Sequence, residues 1–185
     1  METYNDLVRR IVKALGTAGF DYAFTGALAA SFYGLPRTTT DIDVIVRFAG
    51  ANAKSKLANT LRRAGVKADE REIDNALTSG YRIAKFTDTR TAYNVDIMIS
   101  SEKLEKRAGT VAGVQAFFQT PESLISAKLR MIKATVPRER ALKDEEDVRA
   151  ILKFTRVDIE AIKRKAKKET TLPILQALTN QDVPR

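Results

Sequence analysis

At 185 residues and 44% hydrophobic content, the chain is long enough to bury its own core and too apolar to read as disordered, so one domain with at most a helical extension is expected. It contains no cysteine and no histidine, which excludes disulfide frameworks, thiol nucleophiles, Cys/His zinc sites, serine–histidine triads and imidazole acid–base catalysis. The net charge of +9, with the larger cationic excess beyond residue 100, favours a polyanionic partner.

Leu7, Val8, Ile11, Val12, Leu15 and Ala18 recur at helical spacing, so the opening segment predicts an amphipathic helix ending near Gly16 or Gly19. A strand around Asp21 to Phe24 follows, then Thr25-Gly26 and a helix of small residues, Ala27 to Tyr33, stopped by Gly34 and Pro36. Beyond the polar loop Arg37 to Thr40, the β-branched run Asp41 to Arg47 predicts a buried strand, and Asn52 to Ala64 a helix. Tyr81 to Phe86 and Ala92 to Ile99, joined around Asp88-Thr89-Arg90, predict an antiparallel hairpin, and a further short hairpin runs through Val111 and Phe117. Thr120-Pro121 supplies an N-cap and a first-turn proline for a helix through Leu124, Ile125, Lys128, Leu129 and Ile132. Helices are also expected over 139–154, 157–168 and 173–178. The fold class is therefore α+β, a small mixed sheet flanked by helices. Its division is a sheet-bearing core over 1–100 and a mostly helical extension over 101–185 packed on that core. The opening METYNDLVRR has no apolar signal-like region, and no run reaches the roughly 18 apolar residues of a membrane span. The location expected is cytoplasmic, with no membrane partner.

Because side chains alternate along a strand, Asp41 and Asp43 project to one side and Ile42, Val44 and Val46 to the other. Two half-buried carboxylates side by side call for a compensating cation, a basic side chain or a metal, and magnesium suits oxygen donors. In the later strand Asn94, Asp96 and Met98 share a face, which sets one acid in the apolar stretch Val-Asp-Ile-Met-Ile. If the two strands are neighbours, Asp96 completes a cluster able to hold two ions about 3.5 to 4 Å apart; otherwise it is a hydrogen-bonded structural acid. Upstream, Gly26 at a strand-to-helix junction lets the backbone approach a ligand closely, and the helix N-terminus offers amides to phosphate. The run Lys163, Arg164, Lys165, Lys167 and Lys168 is a solvated helix face or an RNA contact.

These residues resemble a known family. Thr25 to Val46, TGALAASFYGLPRTTTDIDVIV, is similar to the nucleotidyltransferase signature of the DNA polymerase β superfamily: a Gly-Ser or Gly-Gly turn opening a helix, then Asp-x-Asp in a strand. Arg37, Thr38 and Thr40 match the Arg-x-Thr-x-Asp-x-Asp form of small members. TPESLISAKLRMIK and RERALKDEEDV look like the Pro-Glu-x-Leu-Ile-x-x-Lys-Leu and Lys-Asp-x-x-Asp elements of AbiEii-type and related minimal nucleotidyltransferases.

The resemblance implies that Asp41, Asp43 and Asp96 are catalytic and bind metal, with Mg2+ as the cofactor, two ions, and Mn2+ as a substitute. It implies that Gly26, Ala27, Arg37, Thr40 and Lys128 form the nucleotide-binding set, and that Asp144 or Asp147 is the late aspartate of the AbiEii-like group. Ala27 departs from the pattern, since many members carry serine there; Thr25 or backbone amides are the substitutes. The implied activity is transfer of a nucleoside monophosphate from a nucleoside triphosphate such as ATP to an acceptor. RNA, including a tRNA end, is the first acceptor, in the manner of toxins that are paired with an antitoxin protein. A protein side chain or a small molecule such as an antibiotic is the alternative, and a non-catalytic binder of nucleotide or RNA is a third reading.

Overall fold

The computed structural model describes residues 2–180, which divide into two units: 2–28 with 38–119, and 29–37 with 120–180. The first unit opens on α1 (Tyr4–Thr17). Thr3 and Asp6 cap this helix reciprocally, each side chain accepting from the other's backbone N–H, so two of the free amides at its start are satisfied. Leu7, Val8, Ile11, Val12 and Leu15 form its buried stripe, as the spacing predicts. Next come β1 (Tyr22–Phe24), α2 (Gly26–Tyr33), β2 (Asp41–Arg47) and α3 (Ala53–Arg63).

A helix that the periodicity does not reveal, α4 (Glu70–Thr78), follows. It buries only Ile73 and Ala76 in an otherwise polar segment, too few apolar positions to set a pattern. Asp69 marks its start by accepting from the backbone N–H of Arg71 at 2.9 Å. The remaining strands are β3 (Ile83–Thr87), β4 (Asn94–Ser100), β5 (Lys106–Val111) and β6 (Val114–Gln119). Ala112 and Gly113 make the two-residue turn of the last hairpin with φ of 50° and 78°, the left-handed pair that matches strand twist.

All six strands form one mixed sheet in the order β3-β4-β2-β1-β6-β5. Pairings β1/β2, β3/β4 and β5/β6 are antiparallel, whereas β2/β4 and β1/β6 are parallel. Strand β6 therefore carries its hairpin into the sheet-bearing unit. Ile42, Val44, Val46, Val95, Ile97 and Ile99 are buried on one face of the central strands. The other face carries the acids at half-exposed positions.

The second unit is helical: α5 (Pro121–Ala134), a 3-10 turn (Arg138–Ala141), α6 (Leu142–Phe154), α7 (Ile159–Lys168) and α8 (Leu172–Asn180). The helix expected over 139–154 is thus split into a tight turn and α6. Thr120 accepts from the Ser123 N–H and Pro121 occupies the first turn, as anticipated. Within this unit the segment 29–37 lies against α6, where a side chain at Gly34 would stand 2.9 Å from the Ala150 methyl. The Thr155 hydroxyl donates to the Tyr33 carbonyl. No helix among the described residues is long and apolar enough to cross a membrane.

Candidate active site

The sheet brings the three acids together. Strand β2 lies parallel to β4 in a register that sets Asp43 directly beside Asp96 and Asp41 beside Asn94. The spacing between paired strands is about 4.8 Å and that between alternate residues of one strand about 6.6 Å. Asp41, Asp43 and Asp96 therefore stand as a triangle on the face opposite the buried valines and isoleucines.

Each corner has protein neighbours. Asn94 donates its amide N–H to Asp41 Oδ1 at 3.1 Å, and Lys85 Nζ lies 3.3 Å from Asp96 Oδ2. The loop ahead of β2 is fixed by Asn94 N–H donating to the Thr40 carbonyl at 3.2 Å and by the Thr39 hydroxyl bracketing the Asp41 backbone. Tyr4, edge-on to Tyr93 with centroids 5.2 Å apart, donates its hydroxyl to the Asp41 carbonyl at 3.2 Å. Burial above all, then the charges of Asp43 and Asp41, raises the Tyr4 phenol's pKa, so it remains a neutral donor.

Gly26 closes the third side. Its φ is +58°, and a Cβ there would fall 2.0 Å from Asp43 Oδ2 and 2.9 Å from Asp43 Cβ. Only glycine lets the backbone lie this close to the carboxylate. The antiparallel β1/β2 pairing holds it there, with Thr25 N–H donating to the Asp43 carbonyl at 3.0 Å. The Thr25 hydroxyl, expected to substitute for the serine absent at Ala27, donates to Gln119 Oε1 at 2.6 Å. Ala27 itself is buried.

The donor types suit a hard divalent cation: three carboxylates on one face, drawn from adjacent strands, with Asp43 lying against the Gly26 backbone where a side chain would collide with it. As the side chains stand, no three acidic groups among the described residues converge on one ion position. Asp41 and Asp96 are held by Asn94 and Lys85 respectively.

Arg37, Lys128, Asp144 and Asp147 meet in the helical unit. Lys128, 5% exposed on α5, lies 2.8 Å from Asp144 Oδ1 and 2.6 Å from Asp147 Oδ2 of α6. Arg37 reaches both oxygens of Asp147 at 3.1 Å through Nε and Nη2. The two late aspartates are thereby distinguished: Asp147 is buried between two cations, whereas Asp144 is more exposed and binds Lys128. Thr40 is exposed, and its backbone carbonyl, not its hydroxyl, makes the contact to Asn94.

Tyr4 and Lys85 escape the sequence reading. Nothing marks Tyr4 in a helix whose visible signal is its apolar stripe. Lys85 was accessible in principle, because an antiparallel hairpin of the right register sets it opposite Asp96.

No family model matches the sequence, and no curated protein matches it. Similarity lies in three dimensions, and it shows the fold: the chain has a nucleotidyltransferase fold. The solution structure of the antibiotic-resistance factor ANT(2'')-Ia matches over 96% of this chain and 97% of that one, with a TM-score of 0.65 and 14% identity. A crystal structure of ANT(2'')-Ia in complex with adenylyl-2''-tobramycin matches over 98% and 100% with a TM-score of 0.60 and 15% identity. An antigenic nucleotidyltransferase-like protein from Paracoccidioides brasiliensis matches over 100% and 96% with a TM-score of 0.61 and 12% identity.

Proposed function

We propose that the protein is a magnesium-dependent nucleotidyltransferase that moves a nucleoside monophosphate from a nucleoside triphosphate to an acceptor hydroxyl. The observation that carries this reading is the register of β2 and β4, which sets Asp43 beside Asp96, with Gly26 packed against Asp43. Asp41, Asp43 and Asp96 would hold the magnesium, or manganese in its place, which supplies charge neutralisation for the phosphates and acidifies the acceptor oxygen.

The chain's own contribution is positioning and proton transfer. The turn at Gly26 lets Asp43 lie against the backbone, the start of α2 offers amides to the triphosphate, and Asp41 and Asp43 fix the reacting phosphate's place. The acceptor oxygen attacks the α-phosphorus while the bond to the β-phosphate oxygen breaks and pyrophosphate leaves. Asp96 takes the acceptor's proton. Lys128, Arg37 and Thr40 are assigned to the nucleotide by the resemblance; for Lys128 and Arg37 this requires exchange of their contacts with Asp144 and Asp147. Lys128 of the first AbiEii-like element meets both aspartates of the second, and this pairing supports that subgroup.

RNA, including a tRNA end, is the acceptor that best agrees with the charge of +9 and with α7. There Ile162 and Ala166 are buried while Lys163, Arg164, Lys165, Lys167 and Lys168 all face solvent. A toxin-like role in the cytoplasm, held in check by an antitoxin protein, belongs to this reading. A small-molecule acceptor is the second reading, favoured by the match to ANT(2'')-Ia over nearly the full length of both chains.

The test is incubation of the protein and its Asp41→Asn/Asp43→Asn variant with magnesium, cellular RNA, aminoglycosides and each α-labelled nucleoside triphosphate. Label entering RNA only with intact carboxylates supports the first reading, and label entering the small molecule supports the second. No label with any acceptor, together with retained nucleotide binding, leaves a binder without turnover and refutes the enzyme.

A further inference from the structure

The ion pair between Lys85 and Asp96 stands at the point where the proposed metal site is incomplete. Lys85 sits on the edge strand β3, with its Cα directly opposite that of Asp96 across the antiparallel pair. Its ammonium group is 3.3 Å from Oδ2, while the lysine side chain is 75% exposed and the aspartate only 15%. The acid is thus anchored in the sheet, and its cation is a long, solvated chain able to leave at little cost.

Two parallel strands that set Asp43 beside Asp96 concentrate negative charge, which must be offset for the sheet to close. Lys85, outboard of Asp96 and 3.3 Å from its Oδ2, supplies part of that offset. As the side chains stand, no three acidic groups among the described residues converge on one ion position.

We propose that Lys85 is a resident counter-ion of Asp96 that competes with the divalent cation for this carboxylate and withdraws into solvent when the cation binds. This rests on the metal-dependent reading above and adds a residue that sets cation affinity. Lysine suits the task better than arginine, because a single ammonium on a flexible stem does not lock onto both carboxylate oxygens.

The experiment is titration of the intact chain with Mn2+ alone, followed by loss of the free-ion electron paramagnetic resonance signal, without nucleotide or acceptor. Lys85→Met is expected to bind Mn2+ two- to fivefold more tightly than the parent, about 0.4 to 1 kcal/mol at 1.4 kcal/mol per tenfold. The gain shrinks as salt rises, because an exposed charge is screened. Lys85→Arg, which keeps the charge, binds no more tightly than the parent. Equal affinity of parent and Lys85→Met, both lost in Asp41→Asn/Asp43→Asn, overturns the role of Lys85 and leaves the metal site standing. Failure of parent and Lys85→Met alike to bind more Mn2+ than the double variant overturns both.

Discussion

Replacing Gly26 by alanine tests the geometry of the site most directly. The added methyl would lie 2.0 Å from Asp43 Oδ2, 2.5 Å from Cγ and 2.9 Å from Cβ. Rotating the carboxylate away relieves the first two contacts but not the third, because the Asp43 Cβ is fixed by the strand. The φ of +58° adds about 1 kcal/mol for a residue with a Cβ. With a similar amount for shifting β1 against β2, the loss of stability is about 2 kcal/mol, a fall in Tm of about 4 to 8 °C for a chain of this size. The effect on transfer is larger, since a 1 Å displacement of a reacting group costs about a hundredfold. Thermal unfolding followed by circular dichroism and label incorporation under saturating nucleotide measure the two separately. A Gly26→Ala protein that keeps parental turnover would refute the argument that this backbone must lie against Asp43.

Asp88 has a fully buried side chain and accepts from Arg10 through both oxygens at 2.9 to 3.0 Å and from Thr91 at 2.6 Å. Asp88→Ala is expected to cost about 2 kcal/mol, because the largely buried Arg10 guanidinium loses its bidentate partner while keeping Glu2 and the Ala64 carbonyl; denaturant unfolding checks this. Burial alone would raise the Asp88 pKa, but the bonds from Arg10 and Thr91 prevail and lower it. Its stabilisation is therefore present above the unfolded value near pH 4 and lost as pH falls through the lower folded value, so acid unfolding of the parent, but not of Asp88→Ala, steepens there. Asp147→Ala leaves Lys128 and Arg37 without their shared partner and is expected to lower Tm more than Asp144→Ala, by calorimetry. Lys163→Glu/Lys167→Glu on the exposed face of α7 should shift stability by less than about 0.5 kcal/mol. If RNA is the acceptor, it should also flatten the salt dependence of RNA binding, measured by fluorescence anisotropy, by about one unit per lost phosphate contact.

Local chemistry made much of this protein legible in its sequence. The β-branched run fixes β2 at Asp41–Arg47, Thr120-Pro121 fixes the start of α5, and strand alternation alone puts Asp41 and Asp43 on one face. What the sequence could not carry is register between segments distant along the chain. That β4 lies parallel to β2, with Asp96 beside Asp43 and not two residues along, follows from how the apolar faces of both strands pack, and no local preference encodes it. The same holds for Lys128, which by itself reads as a solvated lysine on a helix. Only the packing of α5 on α6 buries it between Asp144 and Asp147, where a cation is tolerated because two carboxylates replace the water it gives up.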